Sequence, residues 1–486
     1  MLLIHFFIPK LAHSSYLLAG NTTCAVIDPA RDVDRYIEAA ENLDVRITHI
    51  LQTHLHADFV SGHMDLAERT GASIVVPASA GCRFNNIPVS EDDSFMLEDM
   101  KIDILETPGH TPEHLSYVVT DTGRGADPVG VFCGDTLFVG DVGRPDLFPG
   151  MAESLASSLF DSLKKLMKLP DFCEVYPAHG AGSLCGRAMG AKWRSTIGFE
   201  RRYNSALKIS DRDSFIKSLT TDMPPAPDHF SRCSAINRDG PETLSSLSDA
   251  VPLKPVEFRK ASSGKNAIVL DVRRYDAFGG QHVPGSWSID FDGNIPTFAG
   301  WVISPDVDIY LVASNEAEVR DTTCWLRRVG LDRVKGYLDG GLFAWATEGL
   351  PTDHIPQISV LEADLEFKSG KKGAILDVRA PIEFANSHID GSINIPAPDL
   401  RYRFGELDMD SEILLICSTG HRSTLAGSIL QSQNFKKLYN VSGGMKGFSS
   451  AALAPACVMC SIPHGPKLLV SKVQDHISKK TGIEEI

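Results

Sequence analysis

Thr53-His54-Leu55-His56-Ala57-Asp58 packs two imidazoles and a carboxylate into one short segment, directly after the apolar run Ile47 to Leu51. Such a run reads as a buried strand, and side chains at a strand's C-terminal edge can converge on a metal ion. Two more segments are built the same way. Thr107-Pro108-Gly109-His110-Thr111 follows the strand-like Ile102 to Leu105, and Gly134-Asp135-Thr136 follows Val129 to Cys133. A lone HxH is more often structural than functional, but three such segments in succession point to a metal. Imidazole and carboxylate both bind first-row metals, and two His with one Asp form the facial set that leaves positions open for non-haem iron and its substrates.

A second chemistry lies in Cys417-Ser418-Thr419-Gly420-His421-Arg422-Ser423, between the apolar Ile413 to Ile416 and the helix-like Leu425 to Leu430. A thiol in a loop that feeds a helix faces backbone N–H donors and the positive end of the helix dipole, both of which favour its anion and hold an anionic persulfide. Arg422 adds a fixed positive charge for an oxyanion such as sulfite or thiosulfate. The same loop geometry serves phosphatases, in which Cys attacks phosphorus, so the loop by itself leaves both chemistries open.

A chain of 486 residues is too long for one core and implies about three domains. With 43% hydrophobic and 22% charged residues it has the make-up of soluble globular protein, and a net charge of −15 without a basic arm argues against nucleic-acid binding. The apolar Met1 to Pro9 lacks a basic n-region and a cleavage site, so it reads as a first strand, not a signal peptide. No run reaches the roughly 18 apolar residues of a membrane span. Ten scattered cysteines read as reduced thiols, which makes the cytoplasm the expected compartment. Cys457 and Cys460 have CxxC spacing without the second pair a zinc site needs.

The second half contains a duplication at an offset of about 105 residues, a domain-sized period. Ile268 to Arg273 matches Ile375 to Arg379, His282 to Ser286 matches His388 to Ser392, and Leu338 to Gly341 matches Val441 to Gly444. Short apolar runs alternate with helix-like stretches in both copies, the pattern of a parallel sheet wrapped by helices. In the first copy Ala313 stands where Cys417 stands in the second, and Cys324 lies too far downstream to replace it. Ser245 to Pro255 reads as a linker, and Glu348 to Pro356 as a second junction.

THLHAD, TPGHTPEH, CGDTLF and YPAHG, in this order, resemble the metallo-β-lactamase superfamily over residues 1–240. LDVR, HxxGS and a late Gly-Gly resemble rhodanese domains over 255–352, a catalytically silent copy, and 358–450, an active one, with 451–486 a tail of no assigned role. The fold class implied is a multidomain α/β protein: an αββα domain, then two α/β domains with central parallel sheets. Ester and thioester hydrolases of the superfamily usually carry HxHxDH, whose last Asp and His serve a second metal, but Phe59 follows Asp58 here.

The resemblance is therefore to the persulfide dioxygenases, and it implies one Fe(II) held by His54, His110 and Asp135. His56, Asp58 and His179 then become hydrogen-bonding neighbours of the ligands, with Asp58 also able to orient water or substrate. Arg144, in Gly143 to Leu147, resembles the GR-x-D segment of those enzymes and either binds an anionic substrate group or sits in an ion pair. Cys185 could accept sulfane sulfur, although a buried free Cys is the commoner fate. The fusion resembles bacterial persulfide dioxygenase–sulfurtransferases of sulfide detoxification, which implies a thiol persulfide, O2, sulfite and thiosulfate as partners, with Cys417 and Arg422 acting in the transfer. Relatives of this kind often pair, so a homo-oligomer is expected. The competing readings are a zinc thioester hydrolase of glyoxalase II type and a non-catalytic sulfur relay or sensor.

Overall fold

In a computed structural model of the chain, residues 1–453 are described except 188, 222, 224, 370–372 and 452. The tail from 454 onward, with Cys457 and Cys460, lies outside the described residues. The described chain divides into two compact units: Met1–Ala226 with Cys233–Pro241, and Pro227–Arg232 with the residues from Glu242 onward. Among the described residues no helix is long and apolar enough to cross a membrane.

In the first unit, strands from Leu2–Ile8 to Ile87–Val89 form one six-stranded sheet, and those from Ser94–Leu97 to Ser195–Thr196 form another. Tyr16, Leu18, Ile27, Leu51 and Val75 of the first sheet share a core with Ile102, Ile104, Tyr117 and Phe132 of the second. The second sheet's outer face buries Val131 and Val175 against Leu159 and Leu163 of helix Ala152–Leu166 and Phe215 of helix Arg212–Thr220. Helices Asp34–Asn42 and His63–Thr70 pack on strand Arg46–Leu51 of the first sheet, which completes the αββα order. The chemistry-bearing segments leave the C-terminal ends of strands Arg46–Leu51, Met100–Glu106, Gly130–Gly134 and Glu174–Pro177. Backbone bonds tie these ends together: Leu115 N–H to Thr53 C=O at 2.9 Å, and Ala178 N–H to Gly134 C=O at 2.9 Å.

The second unit holds two five-stranded, all-parallel sheets of matching strand order. The expected linker Ser245 to Pro255 is in part structured, because Val251–Leu253 joins the first of these sheets beside Val334–Leu338. Pro252 is tolerated there since the strand lies at the sheet's edge, where one side of the ladder needs no donor.

The repeated LDVR motif is explained by an ion pair made in both copies. Arg379 Nη2 reaches Asp377 Oδ2 at 2.6 Å and the Ser387 carbonyl at 2.6 Å, and Arg273 Nη2 reaches Asp271 Oδ2 at 2.6 Å and the Gln281 carbonyl at 2.8 Å. Both aspartates are fully buried. Removing one partner strands a buried charge, so Arg379→Met should cost its domain about 3–5 kcal/mol, read as a lower urea midpoint. An unchanged midpoint would show the pair to be dispensable.

Candidate metal centre and sulfur-transfer loop

His54, His110 and Asp135 each offer a potential metal-ligating atom within 4.8 Å of the other two, and all three residues are buried. Asp135 Oδ2 is 3.4 Å from His110 Nε2 and 3.9 Å from His54 Nε2, and neither Nε2 has a hydrogen-bond partner among the described residues. Every donor is aimed from behind. The Thr53 hydroxyl is 2.8 Å from His54 Nδ1 and donates to Asp28 Oδ2 at 2.9 Å. His110 Nδ1–H donates to the Arg144 carbonyl at 2.8 Å. Asp135 Oδ1 accepts from His179 Nδ1 at 2.8 Å, while His179 Nε2 lies 2.8 Å from Asp58 Oδ2.

The electrostatics agree with a cation site. Burial pushes the Asp135 carboxyl up, but the charge and hydrogen bond of His179 and the nearby His110 outweigh it and keep it ionised. His54 is pushed well below the ordinary imidazole range, by burial first and then by His56, His114, His110 and His179, so its lone pair is available. Burial works against a charged His179, yet Asp135 and Asp58 on either side hold its pKa well above the ordinary value. Two buried imidazole nitrogens without a hydrogen-bond partner, beside a buried carboxylate, fit one first-row cation with open positions.

The other expected residues take distinct places. His56 Nε2 lies 3.0 Å from Asp28 Oδ1, and its ring packs 4.4 Å from that of Phe59. Asp58, His179 and Cys185 form a second group of potential donors within 4.8 Å. Burial, followed by the charges of Asp58 and Asp135, raises the Cys185 thiol well above the usual range. Of the two roles open to Arg144, the structure has the ion pair: its guanidinium contacts Asp146 at 2.7 Å through both Nε and Nη2, and its backbone N–H donates to the Cys185 carbonyl at 3.0 Å.

Sequence reasoning missed Asp28, Thr53, His114 and Asn237. His114 Nε2 accepts from the Asp135 backbone N–H at 3.0 Å, and Asn237 Nδ2 donates to the His56 and Phe59 carbonyls at 2.8 Å each. Asp28 did carry a signal, since it follows strand Thr23–Ile27 as the ligand segments follow theirs. Gly134 has φ +48°, and a Cβ on it would stand 2.4 Å from His114 Nε2 and 2.6 Å from Thr53 Oγ1, which explains the glycine before Asp135.

In the second unit, Ile416 pairs with Asp377 as Val312 pairs with Asp271, so Ala313 occupies the place of Cys417 in the first copy. Cys417 is buried, and its Sγ receives the Gly420 N–H at 3.1 Å and the Ser423 hydroxyl at 3.3 Å. Helix His421–Ser432 begins directly after Gly420. Arg422, expected to offer its charge to an oxyanion, instead grips Glu383 at 2.6 and 2.9 Å and donates to the Ser418 hydroxyl at 2.7 Å.

The profile of the metallo-beta-lactamase superfamily matches residues 8–179, and that of the rhodanese-like domain matches 254–348 and 361–451. A probable metallo-hydrolase of Burkholderia pseudomallei is 32% identical over 263 residues, 45% of this chain and 87% of its own length. A hydroxyacylglutathione hydrolase of Rhodospirillum rubrum is 37% identical over 168 residues, 34% of this chain and 60% of the relative. The crystal structure of a metallo-beta-lactamase from Staphylococcus aureus superposes with a TM-score of 0.63 at 33% identity, covering 69% of this chain and 98% of that one.

The groups behind the ligands generate a test. Thr53→Val keeps the shape and removes the hydroxyl between Asp28 and His54, and it should weaken metal binding by about 10–100-fold in chelator competition. Wild-type affinity in that variant would show that His54 is aimed by packing alone.

Proposed function

The chain belongs to the metallo-beta-lactamase superfamily and carries two rhodanese-like domains, and from that premise we propose that it oxidises a low-molecular-weight thiol persulfide to sulfite and transfers sulfane sulfur through Cys417 to give thiosulfate. The observation that carries the reading is Phe59. It is fully buried with its ring 4.0 Å from His13 and 4.4 Å from His56, at the position where two-metal hydrolases of the superfamily carry a ligating His. A phenyl ring has no donor, and His179 is engaged by a carboxylate on each side. What is left supports a single cation on His54, His110 and Asp135.

Held by His54, His110 and Asp135, a ferrous ion would supply the electron-transfer chemistry that lets dioxygen react with a sulfur anion. The chain's residues have separate tasks. His54 and His110 present neutral nitrogens, Asp135 presents a carboxylate, and His179 with Asp58 keeps that carboxylate ionised and oriented. Cys185, beside Asp58 and His179, is assigned contact with the persulfide sulfur. The net reaction is R–S–SH + O2 + H2O giving R–SH, sulfite and two protons.

At the second site a Cys417 thiolate attacks the outer sulfur of another persulfide in its anionic form, R–S–S⁻; the S–S bond of that persulfide breaks, R–S⁻ leaves, and Cys417–S–S⁻ remains. Sulfite then bonds to that outer sulfur, the bond to Sγ breaks, and the electron pair returns to Sγ, where the Gly420 N–H and Ser423 hydroxyl receive it. Thiosulfate leaves, and the thiolate is restored.

A second reading has its own support: Asp58, His179 and Cys185 could hold another cation, which would suit a hydrolase. Oxygen separates the two. With a thiol persulfide the protein should consume O2 in an electrode cell, and His110→Ala should abolish that uptake. Cys417→Ser should retain uptake within about twofold and accumulate sulfite in place of thiosulfate, a loss expected when a nucleophile is removed. Thioester hydrolysis proceeding equally well under nitrogen, with no O2 uptake from persulfide, would replace this proposal with the hydrolase.

A further inference from the structure

The copy with Ala313 in the nucleophile's place has two side chains against the loop of the copy that carries Cys417. Asp290, buried, lies with Oδ2 at 3.0 Å from His421 Nδ1 and accepts the Tyr275 N–H at 2.9 Å, while its Oδ1 accepts the Asp292 N–H at 2.9 Å. The Tyr275 ring stands 4.8 Å from the His421 ring, edge to face, and would be 3.0 Å from a Cβ on Gly420. Two further bonds fix the copies in this relation: Ser288 N–H to Ser428 Oγ at 3.0 Å and His282 Nε2 with Gln431 Oε1 at 2.9 Å.

An oxyanion approaching Cys417 must meet positive charge. Arg422 shares its charge with Glu383 and cannot serve as the sole receptor. His421 is the other side chain of the loop that can carry positive charge, and it is 37% exposed. With Nδ1 facing the Asp290 carboxylate, Nε2 is a second donor in the imidazolium form. Burial pushes the Asp290 carboxyl up, but His421 and the Tyr275 and Asp292 amides prevail and keep it an anion able to pair with that ring.

We propose that the silent copy completes the sulfur-transfer site: Asp290, with Tyr275 beside it, positions His421 as the cationic donor that receives the oxyanion end of thiosulfate or sulfite at Cys417. This rests on the sulfurtransferase reading above. His421 is then a specificity residue of the active copy, and Asp290 and Tyr275 are positioning residues supplied by the inactive one.

The test is steady-state transfer from thiosulfate to cyanide by the full chain. His421→Gln and Asp290→Asn should each raise KM for thiosulfate about tenfold with kcat held within about twofold, the size expected for one charge-assisted contact. His421→Lys, which keeps a cation at that place, should bring KM back towards the wild-type value. Iodoacetamide, a neutral reagent, should alkylate Cys417 at the wild-type rate in all of them, showing an intact loop. An unchanged KM in both His421→Gln and Asp290→Asn, or no recovery in His421→Lys, overturns the inference while leaving the sulfurtransferase in place. Absence of thiosulfate-dependent transfer in the wild type overturns the sulfurtransferase itself, and this inference with it.

Discussion

An imidazole or carboxylate stripped of water can wait for a cation only if its remaining polar atom is satisfied by protein, and that requirement organises the first unit. His54 leans on Thr53 and Asp28, His110 on the Arg144 carbonyl, and Asp135 on His179 and, through its backbone, His114. These supports come from the ends of different strands in both sheets, because no single strand end could surround a metal. The shared apolar core between the sheets brings those ends together, and the bond from Leu115 N–H to Thr53 C=O at 2.9 Å joins one sheet's edge to the other's. The αββα architecture is thus the means by which buried donors are both gathered and held. A glycine with positive φ at Gly134 follows from the same crowding, since Thr53 and His114 leave no room for a Cβ.

Much of this was legible in the residues before any coordinates. Strand runs ended where the ligand segments began, and the repeat landmarks marked equivalent strands in the two later domains, down to Ala313 in the place of Cys417. What could not be read was which charges are neutralised by which neighbours. Arg144 and Arg422 both have the chemistry to bind an anion, yet the first is paired with Asp146 and the second with Glu383. Asp146 is two residues from its partner, so an ion pair was one of the two roles open to Arg144, whereas Glu383 arrives from a distant helix that only tertiary packing brings near. Val251–Leu253 was hidden for a different reason: a three-residue edge strand containing proline has too little periodicity to stand out from a linker.

The two rhodanese-like copies show which features can be lost separately. A buried Asp–Arg pair cannot lose one member without stranding the other's charge, and both copies keep it. The nucleophile carries no such penalty. Alanine in place of a buried cysteine is small and apolar and leaves no polar group unpaired, so chemistry can disappear from the first copy while its sheet and core persist.

Persistence of that copy then has a physical account beyond its own stability. Helix His421–Ser432, which carries the residues directly after the Cys417 loop, is contacted along its length from the first copy: Asp290 and Tyr275 at its start, Ser288 at Ser428, His282 at Gln431. A loop that must hold an anionic sulfur in one geometry depends on the helix that follows it staying in place, since the Gly420 N–H and Ser423 hydroxyl that face Sγ sit at that helix's start. Polar bonds at both ends of the helix resist its rotation in a way that apolar packing alone does not, because they have fixed partners and directions. Ser428 and His282 are buried, so breaking either contact would leave a polar group without water, and the register between the copies is held by that cost. The first copy, with alanine in the place of Cys417, thus holds the helix after that loop through side chains lying outside the motif that marks a rhodanese.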